Sequence, residues 1–339
     1  MYDVLVYIGR FQPVHNAHVE TIRRASKLAK KLVIICGSAN QPRTYKNPWT
    51  FEERKYLIDV VCKDVMSPTL CQHVIEPNID SVYNDSAWIE RIQEIVSRNS
   101  RPNDKIGIIG HKKDSSSFYL DMFPQWDFVD TPLIEPLNAT DIRVLFFKEN
   151  CNMNFIRGVV PSVVYNFLHN FGLSPEYTSI LNERKFIDTY KKQFEHLAYP
   201  PIFVTVDAVV LCSGHILLVK RKSEPGKGLW ALPGGFLNAY TDKSVKSAML
   251  RELREETKIK VPEPVLAGSI TDKEVFDAVD RSARGRTITH AFKIELPAGT
   301  LPKIKGSDDA EKALWVPLNE VTSENMFEDH FDIINYFVG

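Results

Sequence analysis

The chain has 339 residues, 44% hydrophobic and 25% charged, with a formal net charge of -1 from 42 Lys and Arg against 43 Asp and Glu. That length buries more than one core and points to two domains, while the near-neutral balance excludes a nucleic-acid or membrane-surface protein held by bulk charge, so any phosphate must be gripped locally. The five cysteines (Cys36, Cys62, Cys71, Cys151, Cys212) are odd in number and form no C-x-x-C pair, there is no leader pattern, and no apolar run reaches a membrane span, which together predict a cytoplasmic protein without disulfides or a zinc site.

In chain order, Val4 to Ile8 reads as a buried strand, Ala17 to Lys31 as a helix and Lys31 to Gly37 as a second buried strand ending in glycine. Thr50, with Glu53 three residues on, has the spacing of a capping box and starts a helix that runs to Val61. A helix over Asp85 to Arg98, a strand over Lys105 to Gly110 and a helix over Thr140 to Phe147 follow. This alternation predicts an α/β fold, a doubly wound parallel sheet of Rossmann-like type, with ligands at the carboxyl ends of the strands, where Gly9, Gly37 and Gly110 stand. Residues 172–201, with a helix over Asn182 to His196 and a closing proline pair, read as a linker between a domain over 1–171 and one over 202–339. In the latter, Phe203 to Cys212 and His215 to Lys220 are strand-like runs joined by Ser213-Gly214, a hairpin signal that opens a separate α+β domain.

Two constellations carry chemistry. The first is GRFQPVHNAH, Gly9 to His18, at a strand-to-helix turn, where His15 and His18 can aim ring N–H donors at a ligand beside the positive end of a helix. That suits phosphate; taken in isolation, two histidines so spaced are ordinary surface or capping residues. The second is the helical run Arg251-Glu252-Leu253-Arg254-Glu255-Glu256 behind Gly234-Gly235, whose three glutamates fall on one helix face. Their mutual repulsion is relieved by a divalent cation, Mg2+ or Mn2+, though a solvated acidic face is the plain alternative.

The first run resembles the G-x-F-x-P-x-H-x-G-H signature of the nucleotidyltransferase superfamily, with Ala17 in place of the second glycine. Asn138-Ala139-Thr140-Asp141-Ile142-Arg143, after Leu137, is similar to its I-S-x-T-x-x-R motif, with Asn138 in place of serine. The resemblance implies ATP contacts from Gly9, Arg10, Phe11, His15, His18, Gly110, Asn138, Thr140 and Arg143, with His18 at the α-phosphate and His15, Thr140 and Arg143 about the β- and γ-phosphates. Asn47 to Arg54, Asp80 to Trp88 and Gly110 to Asp114 resemble the nicotinamide mononucleotide (NMN) adenylyltransferase branch. This implies NMN contacts from Asn47, Arg54, Asp80, Trp88 and Lys112, with Trp88 stacking on the nicotinamide ring and Arg10, Arg54 and Arg143 neutralising phosphate. Trp88 reads equally as a core aromatic, and Lys112 as a solvated charge. In this chemistry the NMN phosphate attacks the α-phosphorus of ATP, and Mg2+ offsets charge on the departing pyrophosphate.

Leu229 to Gly235 and the glutamate run together resemble the Nudix box. Arg251 falls two residues later than the pattern, Thr241 stands at its first glutamate, and Lys258 replaces its glycine. The resemblance implies metal binding and catalysis by Glu252, Glu255 and Glu256, and ADP-ribose contacts from Gly234, Gly235, Arg251, Arg281, Arg284 and Arg286. The segments Val275 to His290 and Asp308 to Glu311 are similar to Nudix domains acting on ADP-ribose, although a basic loop reads as well as a solvated one. The whole is identified as a member of the bifunctional NMN adenylyltransferase/Nudix pyrophosphatase family, with ATP, NMN and ADP-ribose as small-molecule partners, no nucleic acid or membrane, and room for a homo-oligomer. Two alternatives stand beside it: another acceptor for the adenylyl group, pantetheine phosphate or a flavin, and a Nudix half that binds ADP-ribose as a sensor without hydrolysing it.

Overall fold

The computed structural model describes residues 1–112, 115–132, 138–305 and 310–339. Lys113, Asp114, Leu137, Asp308 and Asp309 therefore lie outside the described residues, as do the side chains of Ala310 and Glu311. The chain forms two compact units, Met1–Leu181 and Asn182–Gly339.

The first unit contains β1 (Tyr2–Gly9), α1 (Asn16–Leu28), β2 (Ala29–Cys36), α2 (Phe51–Val65), β3 (Gln72–Pro77), α3 (Asp85–Arg98), β4 (Ile106–Gly110) and β5 (Asp127–Asp130). Helices α4 (Ala139–Phe146), α5 (Met153–Arg157), α6 (Ser162–Phe171) and α7 (Pro175–Lys192) follow, and α7 spans the division between the units. The strands run parallel in the order β3-β2-β1-β4-β5. Their continuous apolar runs are explained by burial on both faces: Leu5, Tyr7, Leu32 and Ile34 enter one core cluster, while Val4, Val6, Ile8, Val33 and Ile35 enter the other. The order reverses at β1, so the carboxyl ends of β1 and its neighbours open a crevice there. Helix α2 begins as the sequence predicts: Thr50 Oγ1 accepts the Glu53 N–H and Glu53 returns to the Thr50 N–H at 2.8 Å. The helix expected from Ala17 starts earlier, at Asn16, which makes His15 its cap.

The second unit contains β6 (Phe203–Cys212), β7 (His215–Arg221), β8 (Trp230–Ala231), β9 (Gly234–Phe236), α8 (Val245–Thr257), α9 (Glu263–Gly268), β10 (Ile270–Phe276), β11 (Thr287–Glu295), β12 (Ala310–Pro317) and α10 (His330–Val338). The main sheet runs β10-β11-β6-β7-β12, with β8 on β7 and β9 on β6. Strand β6 pairs parallel with β11 and antiparallel with β7. Ser213 and Gly214 take φ of 48° and 73°, the two left-handed residues that a tight hairpin with right-twisted strands requires. Helix α8 lays Ala248, Met249 and Leu253 into a core with Val206, Ala208 and Leu217, which leaves its glutamate-bearing side facing away from that core. Among the described residues no helix is long and apolar enough to cross a membrane.

Candidate active sites

In the first unit the strand ends are tied directly to one another. The Gly37 N–H donates to Gly9 O at 2.9 Å, and Asp80 accepts the Ser38 N–H at 3.1 Å and the Ser38 hydroxyl at 2.5 Å. A Cβ on Gly37 would stand 3.8 Å from the Arg10 side chain and 3.9 Å from Asp80 Oδ1, so Arg10, Gly37 and Asp80 line one place. With α1 starting at Asn16, both histidines belong to its first turn. The His15 N–H donates to His18 Nδ1 at 3.2 Å, and the two rings lie 3.8 Å apart. Because Nδ1 accepts, the proton of neutral His18 stands on Nε2, where it can be donated. Burial, and then the nearby His15, hold the His18 pKa well below the usual 6.5, so the ring is uncharged at neutral pH.

The arginines divide. Arg143, 5% exposed, donates to Gln12 O at 2.6 Å and to Thr140 Oγ1 at 3.1 Å, and burial lowers its pKa only to about 10, which leaves it cationic. Thr140 is exposed beside it, and Asn138 caps α4 by accepting the Thr140 and Asp141 N–H groups. Arg54 corrects the expectation of a phosphate contact. It is 1% exposed and, among the described residues, donates to backbone carbonyls: Arg10 O at 2.6 Å, Gly37 O at 2.7 Å, Ser38 O at 3.0 Å and Thr50 O at 3.3 Å. The Phe11 ring is likewise internal, buried against Tyr7.

The remaining NMN candidates are scattered in role. Asp80 stands at the crevice. Asn47 is partly buried with its Oδ1 lacking a hydrogen-bond partner. Trp88 packs on the second core cluster against Tyr119 and Phe123, its indole partly exposed. Lys112 is exposed and paired with Asp121 at 2.5 Å. A Cβ on Gly110 would stand 3.0 Å from the Leu120 side chain, and the Gly110 carbonyl accepts the Thr131 N–H. Sequence reasoning missed Gln12: its amide donates to Trp49 O and accepts the Trp49 N–H, lacing the histidine turn to the segment before α2.

The second unit holds a cavity of about 600 Å³, lined in part by Gly234, Gly235, Glu252, Glu256, Arg251 and Arg284. Gly234 is required by close approach, since a Cβ there would stand 2.1 Å from Val206 O; a Cβ at Gly235 would stand 2.7 Å from the Glu252 carboxylate and displace it. The Gly234 N–H donates to Glu256 at 3.0 Å, and burial pushes the Glu256 pKa up to about 8 and that of Glu252 upward too. These two partly buried carboxylates fit a divalent cation, the hard, charged partner that relieves such a desolvated pair. Glu255 stands apart from this pair. It is 56% exposed, held by Arg251 at 2.9 Å and absent from the cavity wall, and no cluster of three His, Cys, Asp or Glu that could hold a metal occurs among the described residues. At roughly 100° per residue Glu252 and Glu256 lie about 40° apart around the helix, and Glu255 falls to the side, about 100° from Glu256.

The irregular box is compensated locally. Asp242, beside Thr241, accepts Arg251 Nε at 2.9 Å and Nη2 at 2.8 Å, and that guanidinium pulls the Asp242 pKa down to about 2. Lys258 takes φ 47° at the end of α8, the left-handed cap that glycine normally fills. Arg281, 7% exposed, is held by Asp329 at 2.8 and 2.9 Å while still lining the cavity, and Arg286 leans on Asp277 at 3.7 Å away from the cavity wall. Arg284 remains on that wall, stacked over Phe236 at 4.9 Å, with its Nε lacking a hydrogen bond. Arg221, over the Phe327 ring at 3.8 Å, also lines the wall and had no sequence signal. Asp207 had one, as a lone carboxylate inside the apolar strand β6.

A cytidylyltransferase-like family model matches residues 6–101 and a NUDIX domain model matches residues 201–337. Fold and sites thus define a nucleotidyltransferase unit joined to a Nudix hydrolase unit. The chain is 35% identical over 180 residues to a nicotinamide/nicotinic acid mononucleotide adenylyltransferase of Acinetobacter baylyi, spanning 53% of this chain and 92% of that protein. It is 35% identical over 135 residues to an ADP-ribose pyrophosphatase of Methanocaldococcus jannaschii, 40% of this chain and 72% of that protein. A crystal structure of a bifunctional NMN adenylyltransferase/ADP ribose pyrophosphatase from Francisella tularensis, complexed with AMP and a manganese ion, matches 100% of this chain and 99% of its own at 35% identity with a TM-score of 0.90. The chain belongs to the family of bifunctional NMN adenylyltransferase/ADP-ribose pyrophosphatases.

Proposed function

We propose that the first unit transfers the adenylyl group of ATP to NMN, giving NAD and pyrophosphate, and that the second hydrolyses ADP-ribose to AMP and ribose 5-phosphate. The observation that carries this reading is the likeness along the whole chain to a bifunctional enzyme of that description. In the first unit the NMN phosphate oxygen attacks the α-phosphorus in line and pyrophosphate leaves; the protein contributes positioning and electrostatics. His18 Nε2–H donates to the α-phosphate, and His15, Thr140, Arg143 and Arg10 face the β- and γ-phosphates beside the first turn of α1. Asp80, Asn47 and the open part of Trp88 receive NMN, while Arg54, Phe11, Gln12 and Asn138 hold the surrounding backbone.

In the second unit Glu252 and Glu256 hold Mg2+ or Mn2+. When bound, the cation neutralises the pyrophosphate and favours ionisation of a water. Arg284 and Arg221 face the diphosphate, one of the two carboxylates takes the proton of the attacking water, and Arg251, set by Asp242, orients the helix side that carries them. The five free cysteines suit work in the cytoplasm. The test supplies the full-length protein with ATP and, in turn, NMN, nicotinic acid mononucleotide, pantetheine phosphate and a flavin, and separately with ADP-ribose plus Mg2+ or Mn2+. NAD and AMP are the expected products. A preference for another acceptor would overturn the first assignment, and calorimetric binding of ADP-ribose without AMP release would make the second unit a sensor.

A further inference from the structure

Two buried side chains of the second unit's cavity have no part in that reaction. Asp207, in the middle of β6, is 5% exposed, and His330, at the start of α10, is 6% exposed; both line the wall. The Leu232 N–H donates to His330 Nδ1 at 2.9 Å, which leaves the ring proton on Nε2. Thr289 Oγ1 donates to Asp207 Oδ2 at 2.5 Å, which leaves Oδ1. His330 Nε2 and Asp207 Oδ1 stand 3.9 Å apart, too far to bond each other, and neither is hydrogen-bonded to another described residue. Burial draws the His330 pKa down to about 3, so the ring is a neutral donor across the working pH range. Both residues line the cavity, where a ligand group or solvent can supply the missing partners.

A single atom can answer both. An oxygen about 2.8 Å from each would see them at an angle of roughly 90°, within the range a hydroxyl uses to donate once and accept once. Burial pushes the Asp207 pKa up, against the pull of Arg281 and Thr289; while ionised, Asp207 repels a phosphate oxygen or carbonyl that accepts from His330, and an amide N–H donates to Asp207 but offers nothing to His330. We propose that Asp207 and His330 form the recognition point for one ribose hydroxyl of the substrate, and thereby make the second unit selective for ribose over deoxyribose. This rests on the reading that the unit takes ADP-ribose, a ligand with two hydroxyl-bearing sugars and a size suited to a cavity of about 600 Å³.

The experiment measures kcat/KM of the full-length protein for ADP-ribose and for its 2′-deoxy and 3′-deoxy analogues at either ribose, then repeats the set with Asp207→Asn and His330→Phe. The parent should lose about a hundredfold on one analogue, as a site built around a hydroxyl does when the hydroxyl is missing. In the variants ADP-ribose should fall toward that analogue, so that the ratio approaches one. Asp207→Asn keeps an acceptor for Thr289, so it serves if His330→Phe melts early. A parent that cleaves ADP-ribose and every deoxy analogue alike would overturn this inference alone, as would folded variants that discriminate like the parent. No cleavage of ADP-ribose at all would take down both this inference and the function it rests on.

Discussion

Replacing Arg54 tests whether this arginine holds the fold or a phosphate. In Arg54→Met the guanidinium disappears from beneath the carbonyls of Arg10, Gly37 and Ser38; Thr50 O still accepts the backbone N–H of residue 54 at 3.1 Å. Three carbonyls thus lose a charged donor, at about 1–3 kcal/mol each, and water entry and relaxation bring the expected loss to about 3–5 kcal/mol. With a urea slope of about 2–3 kcal/mol/M, the midpoint of the first unit falls by about 1–2 M. The assay is urea unfolding of the full chain followed by circular dichroism and by residual adenylyl transfer, with ADP-ribose hydrolysis as the internal control, since Arg54 and its partners all lie in the first unit. Arg54→Lys should recover only part, because a single ammonium cannot reproduce the planar fork. An Arg54→Met protein with the parental midpoint and a raised KM for ATP or NMN would refute the structural role and return Arg54 to the phosphates.

Further outcomes can be checked in the same preparations. His18→Ala should lower adenylyl transfer by about 10²–10³-fold with an unchanged melt, as removal of one preorganised donor does; near-parental kcat would exclude His18 from the α-phosphate. Because burial keeps Glu256 protonated up to about pH 8 while the unfolded chain releases that proton near the usual 4.5, the native state binds the extra proton across this window. Metal-free stability should therefore fall as pH rises from about 4.5 to 8, and Glu256→Gln should flatten that slope while abolishing hydrolysis; melts across pH with a chelator read it directly. Arg281→Ala removes the guanidinium from the buried Asp329 carboxylate and should cost about 3–5 kcal/mol, with Arg281→Ala/Asp329→Ala recovering part in a thermal melt. Lys258→Gly should raise stability by about 0.5–1 kcal/mol by relieving φ 47°, and an unchanged midpoint would show that the left-handed cap carries no strain.

Much of the chain is readable locally. Helix α3 and strand β6 begin and end where composition and turn residues place them, at Asp85–Arg98 and Phe203–Cys212, because their limits are set by caps and hairpin residues within the segment itself. The histidine turn is legible for the same reason: a strand, a tight turn and a helix start lie within eighteen residues. Helix α1 begins earlier than its apolar spacing suggests because His15, not an ordinary cap residue, ends the extended chain. Residues defined by distant partners escaped. Arg221 and His330 lie on the cavity wall through the packing of β7 against Phe327 and of α10 under Leu232, and nothing beside them in the chain announces this.

By itself the sequence determined that there are two units, of nucleotidyltransferase and Nudix type, and which strand end and which helix carry their motifs, since these follow from spacing along one or two elements. Only the tertiary structure decided which cations face a ligand. Arg54 is claimed by carbonyls 4 to 44 positions away, and Arg281 on the cavity wall by a carboxylate 48 positions away, while Arg284 on the same wall stacks over Phe236. A guanidinium's role is set by whichever acceptors the fold brings to it in a dry interior, and that is a property of the packed chain, not of any stretch within it.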